Sequence, residues 1–203
     1  LADFTRGCQI WPVNFMCQRV LHSNMARLNL TGVDEGLSVV VSSVLVGADD
    51  PELVMDSILK IFPEFTSVLP ENPSFPTSQS EVIASKDVPL DSFLKRLHEQ
   101  SILDTALDYM SKNLDENGTV FSISRQAAMA NKVAFPLPGE EPLGGVITVE
   151  IEGPDLEDWL EAATWHSGRE NIPRRIGDEF TMDEITGCLL YTSDAADEED
   201  SVD

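Results

Sequence analysis

Glu150 and Glu152 stand two residues apart in a stretch where Val146, Thr148, Glu150 and Glu152 alternate with Ile147, Val149 and Ile151. Residues two apart on a strand share a face, and paired carboxylates can hold a hard cation or do acid–base work. No third ligand stands at a readable spacing, so the other reading is the wet face of a strand. His98 falls inside a helical pattern and His166 follows Trp165, neither with a visible partner that would make it a base or a metal ligand. Gly144-Gly145 leads into a strand rather than a helix, which excludes a phosphate loop. Trp159 lies on an apolar helical stripe and reads as core before it reads as a base-stacking platform. No nucleophile, base and orienting group occur together. The expectation is a non-enzymatic protein with no catalytic residues, no metal and no cofactor.

The elements that position these residues follow from periodicity. Leu37–Val46 is dense in β-branched residues and predicts a buried strand. Asp50 then suits a helix N-cap and Pro51 the first helical position. Val54, Ile58, Ile61 and Phe65 recur at helical spacing, and Pro63 predicts a stop near Phe62. Pro70–Ser80 is a proline-rich loop, and Glu81–Ala84 a short strand. Asp87–Asn113 is helical in period, but its apolar stripes fall out of phase near Gln100, which predicts two consecutive helices. Ser101 with Asp104 resembles a capping box for the second.

Asp115-Glu116-Asn117-Gly118 predicts a turn with Gly118 free to take positive φ, and Thr119–Ser124 a strand with Phe121 and Ile123 on one face. Arg125–Asn131 reads as one helical turn and Lys132–Phe135 as a short strand. Pro136–Gly145 is a loop, Val146–Glu152 a strand with one dry and one wet face, and Asp155–Trp165 an amphipathic helix. From Ser167 onward the pattern fades. The order predicts an α+β class: one domain with a small mixed sheet packed on one side by helices.

Composition narrows function. The 203-residue chain carries 13 Lys and Arg against 36 Asp and Glu, a formal net charge of −23. Such charge resists aggregation and repels phosphate backbones at long range, which excludes the usual basic-faced nucleic-acid binder. Salt-adapted proteomes show the same acidity. Cys8, Cys17 and Cys188 all lie outside residues 25–186, so thiol and disulfide chemistry is excluded for the core. No apolar run approaches the roughly 20 residues that span a bilayer, and a cytoplasmic protein without membrane partners is expected.

Asp115-Glu116-Asn117-Gly118-Thr119-Val120-Phe121-Ser122-Ile123-Ser124-Arg125-Gln126-Ala127-Ala128 resembles the signature of an archaeal family of predicted RNA-binding, exosome-associated proteins. In that family an acidic-Gly turn leads into a strand and then a basic-Gln-Ala-Ala turn. Gly47-Ala48-Asp49-Asp50-Pro51-Glu52 and the Val146–Glu152 strand fall in the expected order, so the resemblance covers about residues 37–152. It implies a fold similar to the ribosomal protein that binds the small RNA of the large subunit, and it brings no catalytic residues. This chain is more acidic than the family pattern and extends beyond its usual end.

The resemblance makes Arg125 and Gln126 candidates for RNA contact, since arginine forks onto phosphate. The other reading is a capping turn in which Arg125 pairs with a nearby carboxylate. Lys86, Lys95, Arg96 and Lys132 are further candidate phosphate partners, or solvated surface charges. Arg174-Arg175 is either a partner-binding hook or a loop that offsets nearby acids. Two functions are expected from this. One is an RNA-binding protein that recognises structured RNA by shape and backbone, accessory to an archaeal RNA-processing complex. The other is an acidic interaction module that docks a basic protein partner. Convergence of Arg125, Lys132 and Lys95 or Arg96 favours RNA; acids surrounding them favour the protein partner.

The ends are set apart. Residues 1–24 are expected to be a non-native or disordered leader, with Met25 a plausible start, and 25–163 the α+β domain. Residues 164–187 are expected to form an irregular extension. Residues 188–203 resemble a translated sequencing adapter, from Cys188-Leu189-Leu190-Tyr191-Thr192-Ser193 to the closing Ser201-Val202-Asp203.

Overall fold

A computed structural model describes residues 30–177, apart from 70–79, 117, 138, 140 and 141; the expectations for residues 1–24, 188–203 and most of the 70–80 loop lie outside them. Strand β1 (Ser38–Leu45) turns Val39, Val41, Ser43 and Leu45 inward. Helix α1 (Pro51–Ile61) begins as its cap residues dictate. Asp50 Oδ1 accepts from the amides of Glu52 at 2.9 Å and Leu53 at 3.4 Å, satisfying donors that the first helical turn cannot. The helix ends at Phe62, one residue before Pro63.

Strand β2 (Glu81–Lys86) is followed by α2 (Asp91–Gln100) and α3 (Leu103–Ser111). The break comes where the apolar stripes lose phase, with a different device from the one expected. Ser101 is the left-handed C-cap of α2 (φ 57°, ψ 38°), and α3 starts at Ile102 with no side-chain cap. The Asp104 carboxylate is occupied elsewhere, so no capping box forms.

Strand β3 (Gly118–Ser124) runs into α4 (Arg125–Met129). Gly118 is required for room: a Cβ there would lie 2.7 Å from the Ile151 carbonyl oxygen across the sheet. Lys132–Phe135 is not a strand. That segment is gripped by Gln100, whose side-chain amide donates to Val133 O at 2.9 Å and accepts from Val133 N at 2.7 Å. One residue on, Ala134 O receives the Ser124 amide at 2.9 Å. Strand β4 (Val146–Glu152), α5 (Leu156–Ala163) and a 3₁₀ turn (Ser167–Glu170) complete the described chain.

The sheet order is β2-β1-β4-β3 and every neighbouring pair is antiparallel. The α+β class is as expected, whereas the sheet is uniformly antiparallel rather than mixed. Helices bury the face carrying Val39, Val41, Ile83, Phe121, Ile123, Ile147, Val149 and Ile151. Phe93 stacks between Phe62 and Phe121 with ring centroids 5.7 and 5.8 Å away, joining α1, α2 and β3 in one core. Each such side chain contributes about 1.5–3 kcal/mol by leaving water. Trp159 is in this core, its indole N–H reaching Glu35 Oε2 at 3.3 Å. The opposite face carries Val44, Val82, Ala84, Val120 and Glu150, all exposed.

Candidate functional site

Arg125 opens α4 and is 5 % exposed, so its guanidinium works inside the fold. Nη2 pairs with Asp49 Oδ2 at 2.9 Å, Nη1 donates to Val44 O at 3.3 Å, and Nε donates to Gly144 O. The cation thus fastens the end of β1, the entry to α1 and the turn before β4. A guanidinium can do this because its fork offers donors in several in-plane directions at once. Gly145 (φ +77°) lies against it, and a Cβ there would meet Arg125 Cζ at 2.6 Å. The expected RNA contact at Arg125 therefore gives way to the capping-turn reading. Its side chain is enclosed and its hydrogen bonds are committed. Gln126 is exposed and packs its side chain over Gly144.

The remaining candidate cations do not gather around Arg125. Lys86 is exposed at the end of β2 and faces Val40, whereas Arg125 bonds Val44. Four residues of strand, roughly 13 Å, separate those levels. Lys95 is exposed on α2, and Arg96 pairs with Glu99 at 3.0 Å. Lys132 is exposed beside Val133, which Gln100 holds, so it comes near the C-terminal end of α2. Lys60, which sequence reasoning passed over, reaches Met129 O at 3.1 Å and pairs with Asp56 at 3.0 Å. Lys60 therefore reaches the start of segment 129–133, which carries Lys132.

Carboxylates gather instead at the β3–β4 end of the sheet. Glu150 faces Val120 and Glu152 faces Gly118 in the register of the two strands. With Asn113 and Asp115 they line a shallow cleft of about 280 Å³. A neighbouring hollow of about 210 Å³ is lined by Asp115, Glu116, Asp155 and Glu157. Among the described residues no group of three or more His, Cys, Asp or Glu side chains could hold a metal ion. Glu150 and Glu152 are both exposed on the face of β4 opposite its buried isoleucines and valine.

A second polar cluster joins residues beyond α5 to α3. Asp104 receives Arg169 Nε at 3.0 Å and His166 Nε2 at 3.1 Å. His166 Nδ1 accepts the Gly168 amide at 3.2 Å, which leaves the ring proton on Nε2, pointing at Asp104. Burial works to raise the Asp104 carboxyl. Hydrogen bonds from His166 and Arg169, with the charge of Arg169, outweigh it and hold the group below its ordinary value. Arg174 Nη2 pairs with Asp108 Oδ1 at 2.6 Å, one helical turn further along α3. His166, which has no partner visible in the sequence, is thus engaged across 62 residues. Arg174 offsets an acid rather than standing out as a hook. Thr164 and Arg169 are buried, so residues 164–177 dock on α3.

Fold and site together define a small α+β protein: an antiparallel four-stranded sheet with helices on one face, an acidic rim and a bare second face. Among the described residues no helix is long and apolar enough to cross a membrane. No family model matches the chain. Individual relatives do. It is 30 % identical over 132 residues to a UPF0201 protein of Sulfurisphaera tokodaii, a match covering 62 % of this chain and 88 % of that one. It is 31 % identical over 125 residues to a UPF0201 protein of Methanothermobacter thermautotrophicus, covering 60 % and 89 %. The crystal structure of a UPF0201 protein from Methanococcus jannaschii superposes with a TM-score of 0.51 at 26 % identity, over 62 % of this chain and 95 % of that one. The chain belongs to the archaeal UPF0201 family.

Proposed function

We propose that this protein is a non-enzymatic docking module of the cytoplasm whose acidic surface binds a basic segment of a protein partner. One observation carries this reading. The arginine expected to lead an RNA surface is buried on Asp49, while Asp115, Glu150 and Glu152 face solvent together around one cleft. A negative rim steers and selects positively charged partners through complementary potential and repels a phosphate backbone. Among the described residues the bare sheet face carries no aromatic side chain on which a nucleotide base could stack.

The RNA reading, with its accessory role in an RNA-processing complex, has one observation in its favour: Lys60 reaches the Met129 carbonyl, three residues before exposed Lys132. Fluorescence-anisotropy titrations separate the two. Lysine-rich peptides are expected to bind at low salt and weaken as salt rises, with hairpin and single-stranded RNA showing no saturable binding. Saturable RNA binding that is lost in a Lys60→Ala/Lys132→Ala variant would replace the protein-docking reading.

A further inference from the structure

The uncovered sheet face has an order that an acidic surface alone does not require. Its residues are paired across strands, so their neighbours are known: Val82 stands beside Val44, and Lys86 and Glu150 both flank Val40. Val44 is 46 % and Val82 62 % exposed, although valine on a strand ordinarily finds cover. Val44 and Val82 lie at one end of the strands, while Val120, 41 % exposed, faces Glu150. The carboxylates of Glu150 and Glu152 lie at the other end, about 13–20 Å away at the rise of a strand. An exposed apolar patch rimmed by charge marks an interaction surface.

We infer that this face is the docking site, and that its occupant is a basic amphipathic helix of a partner protein, apolar residues on the valines and lysines or arginines on Glu150 and Glu152. The inference rests on the protein-docking reading and specifies its surface and ligand. Charge selects the occupant: the carboxylate end calls for cations, and a net charge of −23 opposes a second copy of the chain. A helix rises 1.5 Å per residue, so two to four turns join the two ends of the patch.

The test uses the full chain and two synthetic peptides of identical composition. One is arranged as a helix with leucines along one face and lysines at one end, and the other is scrambled. The ordered peptide is expected to bind about tenfold more tightly. Val44→Glu is expected to remove that advantage, although it adds a negative charge. Circular dichroism and an unchanged melting temperature establish that the variant is folded. Glu150→Gln/Glu152→Gln provides the complementary change and is expected to weaken the ordered peptide and raise nothing. Equal binding of the two peptides, or tighter binding to Val44→Glu, would overturn the sheet-face inference and leave acidic docking intact. Binding of neither peptide would overturn both. A dimer in sedimentation that Val44→Glu dissociates would assign the face to a second copy and overturn the inference.

Discussion

Arg125 Nη2 lies 2.9 Å from Asp49 Oδ2, joining the start of α4 to the loop between β1 and α1 across 76 residues of chain. This ion pair is largely enclosed, its side chains 5 % and 18 % exposed, and it turns a residue that looks like a ligand-binding arginine into a structural clamp. Removing one partner of such a pair strands the other without its countercharge. Arg125→Ala is expected to cost about 3 kcal/mol in urea denaturation, with Arg125→Lys recovering only part because an ammonium cannot reach three acceptors in one plane. A loss under about 0.5 kcal/mol, the range of ordinary surface substitutions, would refute the clamp.

Gly145 is coupled to that clamp. At φ +77° it adopts backbone that side-chain-bearing residues avoid, and the guanidinium fills the space a Cβ would take. Gly145→Ala is expected to destabilise by about 2 kcal/mol or more. In an Arg125→Ala background the penalty should shrink to the conformational part, about 1 kcal/mol. A double-mutant cycle read by chemical denaturation measures the difference.

Asp104 predicts an acid-sensitive segment. Its carboxyl is held below the ordinary 3.8, so its contribution is fully present above that value and is lost as pH falls through the lower folded-state value. Hydrogen exchange at Thr164 and Arg169 should stay slow from neutral pH down to about 4.5, after correction for intrinsic rates, and accelerate below the ordinary aspartate range. Asp104→Asn should speed that exchange at neutral pH by roughly two- to fivefold. The carboxylate is 42 % exposed. Solvent screening therefore limits its contribution to about 0.5–1 kcal/mol. Unchanged protection in Asp104→Asn would show that Asp104 does not hold residues 164–177.

Gln100 substitutes for a strand neighbour by bonding both backbone groups of Val133. Gln100→Ala leaves that amide and carbonyl without partners and is expected to cost about 1–2 kcal/mol. Faster exchange at the Val133 amide, without change at β1, would localise the effect.

Ser101 closes α2 in the left-handed conformation that glycine adopts without a Cβ penalty. Ser101→Gly is expected to raise stability by about 0.5–1 kcal/mol, the steric relief exceeding the added freedom of the unfolded chain. A lower melting temperature would count against this account.

Much of the local structure is written in short-range patterns. Asp50-Pro51 starts α1 where expected because an acceptor and a missing amide solve the same four-donor problem within a few residues. The phase slip near Gln100 locates the break between α2 and α3. The alternation of Val146–Glu152 sets which side of β4 is dry, because strand side chains alternate faces whatever lies beside them. Lys132–Phe135 misleads for the complementary reason. Its composition suits a strand, but its position between Gln100 and Ser124 satisfies the backbone without one.

The sequence by itself determined the α+β class, most element bounds and the acidity, since each depends on residue type and near neighbours. Tertiary structure alone decided that the sheet is wholly antiparallel, that Arg125 turns inward to Asp49, and that His166 finds Asp104. It also decided that the bare face sets Val44 beside Val82 and Val120 beside Glu150. These depend on which distant segments become neighbours. A charge 76 residues away leaves no period in the sequence, and only strand order and register bring it within hydrogen-bonding reach.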